Sequence, residues 1–453
     1  MAEFKKVLIA NRGEIAVRIA KCLRELGIGS VAVCSSIEKN ALHVRIANES
    51  ICIGDGMSVN SYLNSYNILS AALSLNVCAI HPGIGFFAED GDFAESCQEN
   101  GIVFIGPNKN ILEIMGNKSS AKKVASSCMV PIVPGSINTI NNIEECYTTA
   151  EEIGYPILLK ATYGGGGKGI RSVKSSKEMQ KLYNLCIQEA KSSFGKSDLL
   201  IEKEIVGFKH IEVQILADKY GNVIHLGDRE CTIQRTKQKI IEEALCVNIP
   251  LELKKQLYDD AVTIAKKINY VGPGTIEFLV LPDNTYYFME MNTRLQVEHT
   301  VTELIAGIDI VKEQIRIFEG KKLEIKQTEV EFKGYALQCR IIAEDSENKF
   351  LPSFGEINKW NMPSGPGVRV DLGYGTGSKV TPYYDSLIAK ICCIGTDKKS
   401  AISKMLTCLD EIEISGIATN ISLLKKIIST KEFQFGDYTE TFVDKVLQYS
   451  KGE

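Results

Sequence analysis

From Lys6 to Ile105 short apolar runs alternate with amphipathic stretches, and this alternation restricts the fold more than any other feature of the chain. Lys6-Val-Leu-Ile-Ala10 has the apolar density of a strand buried on both faces, and Asn11-Arg-Gly13 reads as the turn that ends it. Between Glu14 and Leu26, the residues Ile15, Ile19, Cys22, Leu23 and Leu26 recur at helical spacing, and Gly27 supplies a stop. Val31–Cys34, Val77–Ile80 and Val103–Ile105 read as further strands. Strands joined through helices require crossover connections, which predicts an α/β region with a parallel, doubly wound sheet. No Gly-x-Gly-x-x-Gly follows the first strand. The sheet is therefore expected to act as a scaffold that lends loops to a site rather than as a dinucleotide fold.

A chain of 453 residues is long enough to bury a large core and to divide into roughly two to four domains. A formal charge of -4, with 24% charged residues, gives no electrostatic case for nucleic acid or an anionic membrane. The first residues carry an acid and too short an apolar run for a secretion signal, and no stretch is long and apolar enough for a membrane span. A cytoplasmic location is expected. The fourteen cysteines contain no Cys-x-x-Cys, and the five histidines show no zinc spacing. Free thiols are expected, with Cys22, Cys34, Cys52, Cys78 and Cys186 packed as small core residues and Cys392 and Cys393 on opposite faces of a strand.

Beyond the first region, 1–114, two further domains are expected at 115–330 and 331–453. The middle one holds a lysine-rich helix from Lys118, a strand Tyr155–Lys160, the glycine loop Gly164–Gly169, and strands Leu199–Lys203 and His210–Ile215. After Gly334 short strands alternate with Gly- and Pro-rich turns, which predicts a β-rich C-terminal domain closed by a helix from Lys399 to Ile412.

Phe288-Met-Glu-Met-Asn-Thr-Arg-Leu-Gln-Val-Glu298 carries the densest chemistry. Read with a strand's period of two, it puts Glu290, Asn292, Arg294, Gln296 and Glu298 on one face, and Met289, Met291, Leu295 and Val297 on a core face. Two carboxylates, an amide and a guanidinium together suit metal ions and a small anion, whereas a merely solvated face would carry Lys, Thr and Ser. In Thr275-Ile-Glu-Phe-Leu279, Glu277 stands between large apolar residues, a costly place for an acid unless it is paired or metal-bound. Glu277 with Glu290 would give Mg²⁺ the few protein ligands it prefers. The glycine loop lets backbone N–H groups approach phosphate oxygens, and Lys118 and Lys160 are the natural ammonium partners. Gln234–Lys239 is a basic cluster that a solvated loop would explain, but with Arg294 it could hold an anion.

Asn11-Arg-Gly-Glu14, His81-Pro-Gly83, the glycine loop, Glu290-Met-Asn-Thr-Arg-Leu-Gln-Val-Glu-His299 and Pro382-Tyr-Tyr-Asp-Ser386 follow one another in an order that resembles the biotin carboxylase members of the ATP-grasp enzymes. The resemblance runs from Lys6 to about Leu447, and the Glu290–His299 stretch is its specific element. It implies an N-terminal α/β domain, an ATP-grasp domain with a glycine-loop lid at about 133–204, and a C-terminal barrel-sandwich-like domain. The implied reaction joins ATP and bicarbonate into carboxyphosphate, whose CO₂ passes to N1′ of biotin on a carrier protein. Carried over by position, Lys118, Lys160, Gly165, Gly166 and Gly167 would hold ATP phosphates. Glu202, Lys203, Ile205 and Leu279 would lie by the adenine, and His210 and Gln234 by the ribose. Glu277, Glu290 and Asn292 would hold Mg²⁺ or Mn²⁺. Lys239, Arg294, Gln296 and Val297 would bind bicarbonate, with Glu298 as its base, while Arg340 and Ile84 would face biotin. No Met-Lys-Met biotinylation site is present. The expected partners are therefore a separate biotin carboxyl carrier protein, carboxyltransferase subunits and a second copy of the chain.

Several positions depart from that pattern. Ile84 stands for an aromatic, Lys237 for a histidine, Leu245, Thr300 and Phe354 for prolines, and Ile342 for an asparagine. The ATP, metal and bicarbonate positions are intact, which leaves the departures weighted toward the acceptor side. An ATP-grasp carboxylase with another acceptor, or a nucleotide-binding subunit without turnover, are the competing expectations.

Overall fold

The computed structural model describes residues 3–140, 142–162, 169–195 and 198–449. The predicted parallel sheet is present. Its strands are β1 (Lys6–Ile9), β2 (Gly29–Cys34), β3 (Glu49–Cys52), β4 (Ala79–His81) and β5 (Val103–Phe104), in the order β3-β2-β1-β4-β5. β3 escaped the sequence reading because its four residues are largely exposed and carry no apolar run. The predicted first helix spans Gly13–Glu25, and its Ile15, Ile19 and Leu23 pack with Leu216, Leu295 and Ile315, which ties this region to the middle of the chain.

A three-stranded antiparallel sheet, β7-β6-β8, follows, built from β6 (Ile157–Ala161), β7 (Ile170–Val173) and β8 (Leu199–Lys203). The glycine loop joins β6 to β7, and Ala161 N–H donates to the Gly169 carbonyl across its base. Gly165, Gly166 and Gly167 lie outside the described residues.

The site rests on an eight-stranded antiparallel sheet. Five of its strands come from the middle of the chain, β9 (Lys209–Ala217), β10 (Val223–Glu230), β13 (Ile241–Ala244), β14 (Gly272–Val280) and β15 (Tyr286–Asn292), with β11 (Gln234–Arg235) and β12 (Gln238–Lys239) forming a separate hairpin. β16 (Tyr335–Ile342), β17 (Val368–Leu372) and β18 (Leu387–Gly395) extend it in the order β15-β14-β9-β10-β13-β16-β18-β17. The β-rich C-terminal region is thus antiparallel, and its first strand pairs directly with β13. Ile211, Val213 and Ile215 of β9, with Ile276 and Phe278 of β14, fill one core with Leu257 and Ile264 of the Leu251–Lys267 helix. The alternate residues His210, Glu212 and Gln214 are buried as well. Both faces of β9 are therefore enclosed, one by apolar packing and one by polar chemistry.

All fourteen cysteines are free. Cys392 and Cys393 face opposite ways as expected, the first toward Thr300 and Gln338 and the second toward Cys408. Cys52 departs from expectation: it lies exposed on the edge strand β3 instead of in a core. Among the described residues, no helix is long and apolar enough to cross a membrane.

Candidate active site

One register line across β15, β14, β9 and β10 sets Glu290, Glu277, Glu212 and Arg229 side by side. Adjacent carboxylates repel, and burying them is costly unless cations meet them. Two cations do. Arg229, fully buried, donates to Glu212, to Gln214 at 2.7 Å, to Thr302 at 2.9 Å and to Thr275 at 3.0 Å. Lys239 donates to Glu212 at 2.5 Å, Glu277 at 2.9 Å and Glu298 at 2.7 Å. Lys239 arrives on the β11–β12 hairpin, whose tip residues Thr236 and Lys237 both have positive φ. That tight turn replaces the solvated loop that the sequence allowed for. Burial lowers the ammonium pKa of Lys239, but Cys231 and the three carboxylates outweigh it and hold the proton well above the usual range.

The Phe288–Glu298 stretch is not one strand. β15 ends at Asn292, Thr293–Val297 form a loop, and Glu298 sits at the start of the His299–Ala306 helix. Within β15 a bulge at Met289 shifts the register between Glu277 and Phe278, which sends Phe288 into the core and Glu290 toward the site. Met289 and Val297, expected in the core, are half-buried. The polar residues converge all the same. Asn292 donates to Glu277 at 2.9 Å, and Arg294 donates to Asn292 and Gln296, both at 3.1 Å. Glu89, from the loop after β4, fixes Arg294 Nε at 2.8 Å and the Thr293 N–H at 3.0 Å.

Glu298 is fully buried and accepts from both Lys239 and Arg340, the latter at 3.1 Å. Burial raises its carboxyl, yet Lys239, Arg340 and Arg229 hold it well below the usual carboxylate range. Glu298 is thus an ionised carboxylate between two cations, the arrangement of a base beside an anion pocket. Arg340 lies within β16, and its guanidinium also meets Glu242.

On the nucleotide side, Lys160 pairs with Glu202, which also meets Lys122 at 3.2 Å. Burial pushes the Glu202 carboxyl up, but Lys160 and Lys122 bring it down to about 2. This lies below the roughly 4.3 of an unfolded glutamate, so the stabilisation is full above that pH and fades as pH falls through the folded value. Glu202→Gln is expected to lower the guanidinium midpoint most near neutrality, with the gap from wild type closing below about pH 4. A gap independent of pH would refute the linkage. Burial also pushes the Lys118 ammonium down, opposed by Glu290 and reinforced by Lys160. Lys203 is occupied by the carbonyls of Gly154 and Tyr155 at 3.0 and 3.1 Å, and Ile205 is half-buried beyond the end of β8. His210 Nδ1 meets Gln234 Nε2 at 2.8 Å and its Nε2 meets Glu277 at 2.9 Å, while Leu279 stands opposite His210 in the β9–β14 register.

The oxygen donors suit a hard divalent cation. Burial, with Glu277 next to it, pushes the Glu290 carboxyl up, opposed by Lys118; a bound cation would cancel that repulsion. Glu277 also belongs to a second buried group, with His210 and Glu212, whose ligand atoms lie within 4.8 Å of one another.

Beyond Arg340 a cavity of about 400 Å³ opens, lined by Asn11, Ile84, Val297, Arg340, Tyr383 and Tyr384 among others. Asn11 donates to the carbonyls of Pro82 and Ile84 at 2.7 and 2.9 Å. Gly83 has φ +66, and a Cβ there would come within 2.8 Å of the Asn11 amide, so this clasp needs glycine. Arg12 pairs with Glu38 and lies 4.2 Å from the Tyr384 ring centroid, which joins the Asn11–Glu14 motif to the Pro382–Ser386 motif.

Three family profiles span the chain: biotin carboxylase, N-terminal domain, over residues 3–112; carbamoyl-phosphate synthase L chain, ATP binding domain, over 117–326; and biotin carboxylase C-terminal domain over 338–445. Biotin carboxylase 1 of Bacillus subtilis is 48% identical over 97% of this chain and 98% of its own length. The chain belongs to the biotin carboxylase family. It is accordingly an ATP-dependent ligase of the carboxylase class. The 2-oxoglutarate carboxylase small subunit of Hydrogenobacter thermophilus is 46% identical over 98% of this chain and 93% of its own. A solved biotin carboxylase domain dimer of the H. thermophilus enzyme, with MgADP, ADP and bicarbonate, aligns at TM-score 0.95 and 45% identity over 99% of both chains. A Campylobacter jejuni biotin carboxylase in complex with β,γ-ATP aligns at 0.96 and 42%, over 98% and 99%.

The departures from the biotin carboxylase pattern fall in distinct places. Lys237, at the exposed hairpin tip, has its ammonium pushed down by burial and by nearby Lys160 and Arg171. Thr300 hydrogen-bonds Gln338, Gln338 donates to Glu242 at 2.8 Å, and Glu242 holds Arg340. A proline in its place has no hydroxyl to enter that chain. Ile342 is buried and its N–H donates to Asn420 at 2.9 Å; Phe354 is exposed.

Sequence reasoning missed Glu212, Arg229, Glu242, Glu89, Lys122 and Lys390. The His210-Glu212-Gln214 alternation was a signal for the first. Arg229 lies between Asp228 and Glu230, and Glu242 is followed by Glu243, charge runs that read as solvated strand ends and hide the buried pairing. Lys390, fully buried, donates to the Val297 carbonyl at 2.9 Å and pairs with Glu14 at 3.0 Å, and nothing local in the sequence announces that contact.

Proposed function

We propose that this chain performs the first half-reaction of a biotin-dependent carboxylase, transferring CO₂ from bicarbonate to N1′ of biotin on a separate biotin carboxyl carrier protein. The observation that carries this reading is Glu298, an ionised carboxylate held at 2.7 Å by Lys239, which also binds the metal-ligand candidate Glu277, and at 3.1 Å by Arg340 at the acceptor cavity. Lys239, Arg294, Gln296 and Val297 surround bicarbonate, whose remaining proton passes to Glu298. The bicarbonate oxygen then attacks the γ-phosphorus of ATP in line, the bond to the β-phosphate oxygen breaks, and ADP and carboxyphosphate result. Carboxyphosphate separates into CO₂ and phosphate, the released phosphate takes the N1′ proton of biotin, and the resulting nitrogen bonds the CO₂ carbon. Arg340 stabilises the enolate-like oxygen of deprotonated biotin, and Ile84 forms part of the wall.

Lys118, Lys160 and the loop residues Gly165, Gly166 and Gly167 hold the phosphates; Glu202, Lys203, Ile205 and Leu279 lie by the adenine, and His210 and Gln234 by the ribose. Glu277, Glu290 and Asn292 would hold Mg²⁺ or Mn²⁺, which when bound neutralises phosphate charge. The MgADP and bicarbonate bound by the H. thermophilus domain, and the ATP analogue bound by the C. jejuni protein, support this assignment. The division into 1–114, 115–330 with a lid near 133–204, and 331–453, a cytoplasmic location and a homodimer belong to the same reading; the H. thermophilus domain is a dimer.

The carboxyltransferase is assigned to an acetyl-CoA or other acyl-CoA carboxylase. Relatives that serve 2-oxoglutarate and pyruvate carboxylases favour the competing reading, a two-subunit carboxylase acting on an oxo acid. The test is ADP release by purified protein with and without bicarbonate and free biotin. Release that requires bicarbonate and rises with biotin is expected; release indifferent to bicarbonate sinks the assignment.

A further inference from the structure

From Gly56 through Ile80 the chain contains no Asp, Glu, Lys or Arg. Much of this stretch nevertheless lies at the surface: Met57 and Val59 are 51% and 59% exposed, and Leu63, Tyr66 and Leu73 are exposed too. A segment that meets only water ordinarily carries charge on its outer face, and exposed apolar side chains grouped without charge mark a contact surface. Its position specifies the partner. Ser58, between Met57 and Val59, lines the same cavity as Arg340 and Ile84, and its hydroxyl donates to the Tyr383 carbonyl at 3.2 Å. Tyr383 lines that cavity while 50% exposed. Ile37, also exposed, packs so closely on Gly56 that a Cβ there would lie 2.9 Å from its Cδ1. Ser58 and Tyr383 thus tie this apolar surface to the cavity lining.

We propose that Ile37, Met57, Val59, Leu63 and Tyr383 form the rim on which the biotin-bearing carrier domain docks. This rests on the function proposed above. Biotin tethered through one lysine side chain has limited reach, so the domain that delivers it to Arg340 must settle against the cavity mouth. That domain must also leave to meet a carboxyltransferase, which suits a small apolar contact rather than a large permanent one. These five side chains avoid the desolvation cost that charges would add to each docking and release, with the exposed Asp55 and Asp385 beside them.

The test compares two acceptors, free biotin and the lysine-biotinylated carrier domain of the same organism. Met57→Asp and Val59→Asp, single and combined, alter exposed side chains and leave the fold intact. The KM for the carrier domain is expected to rise about tenfold or more, while kcat/KM for free biotin stays within about twofold of wild type. An unchanged carrier KM overturns the rim, and so does an equal loss with both acceptors, which would place these residues in the cavity's own work. A change in oligomeric state on light scattering overturns it in favour of an interface between copies. Wild-type protein that carboxylates neither acceptor removes the functional reading itself and the rim with it, whereas variants that match an active wild type remove the rim alone.

Discussion

Glu298→Gln is expected to lower bicarbonate-dependent turnover by about 10²–10⁴-fold, the range that a positioned general base contributes, while ATP binding changes little. The substitution keeps the side chain's shape and removes its capacity to take a proton. Its surroundings sharpen the expectation. Glu298 is buried with Lys239 on one oxygen and Arg340 on the other, and these cations hold its carboxyl well below the usual carboxylate range. In the proposed mechanism, bicarbonate entering beside Lys239 competes for that ammonium, which frees Glu298 to receive the proton as the anion arrives. The groups proposed to hold ATP, Lys118, Lys160 and the metal ligands, stay in place in the variant. Single-turnover ADP formation and nucleotide-binding titrations separate the two effects; a variant that turns over like wild type removes Glu298 from the role of base.

How much of this was legible in the sequence differs between strand and loop. Period-two alternation placed Glu277 opposite the core residues Ile276 and Phe278 correctly, because β14 is a regular strand enclosed on both sides. The same rule applied to Phe288–Glu298 gathered the right residues for the wrong reason. The bulge at Met289 breaks the alternation, and the chain beyond Asn292 is a loop whose shape is imposed by Glu89 and Lys390. Both partners are distant in sequence, so no local pattern could foretell them. The doubly wound sheet was readable because buried parallel strands are apolar throughout, whereas the exposed edge strand β3 left no such mark. Arg340 makes salt bridges to Glu242 and Glu298, which join the cavity it lines to the buried Glu298 carboxylate.

Arg229→Met is expected to cost about 3–5 kcal/mol of stability, the range for removing one partner of a buried ion pair. Methionine fills much of the arginine's volume, so the loss reports the charge and its hydrogen bonds more than a cavity. Arg229 is fully buried and donates to four side chains, Glu212, Gln214, Thr275 and Thr302. Without it Glu212 keeps Lys239 alone, and Lys239 is already shared with Glu277 and Glu298. Glu212 then draws Lys239 away from Glu277 and Glu298, which keep His210 with Asn292 and Arg340 respectively, and the variant should lose turnover as well as stability although Arg229 touches no reacting atom. Glu212→Gln added to Arg229→Met removes the stranded charge, so the double variant should recover part of the loss, a non-additivity that independent sites do not show. Guanidinium unfolding of wild type, both single variants and the double variant measures it. A loss below about 1 kcal/mol in Arg229→Met, or strict additivity in the double variant, would mean that water rather than Arg229 neutralises Glu212, and the charge row of the sheet would no longer explain why Lys239 stands where it does.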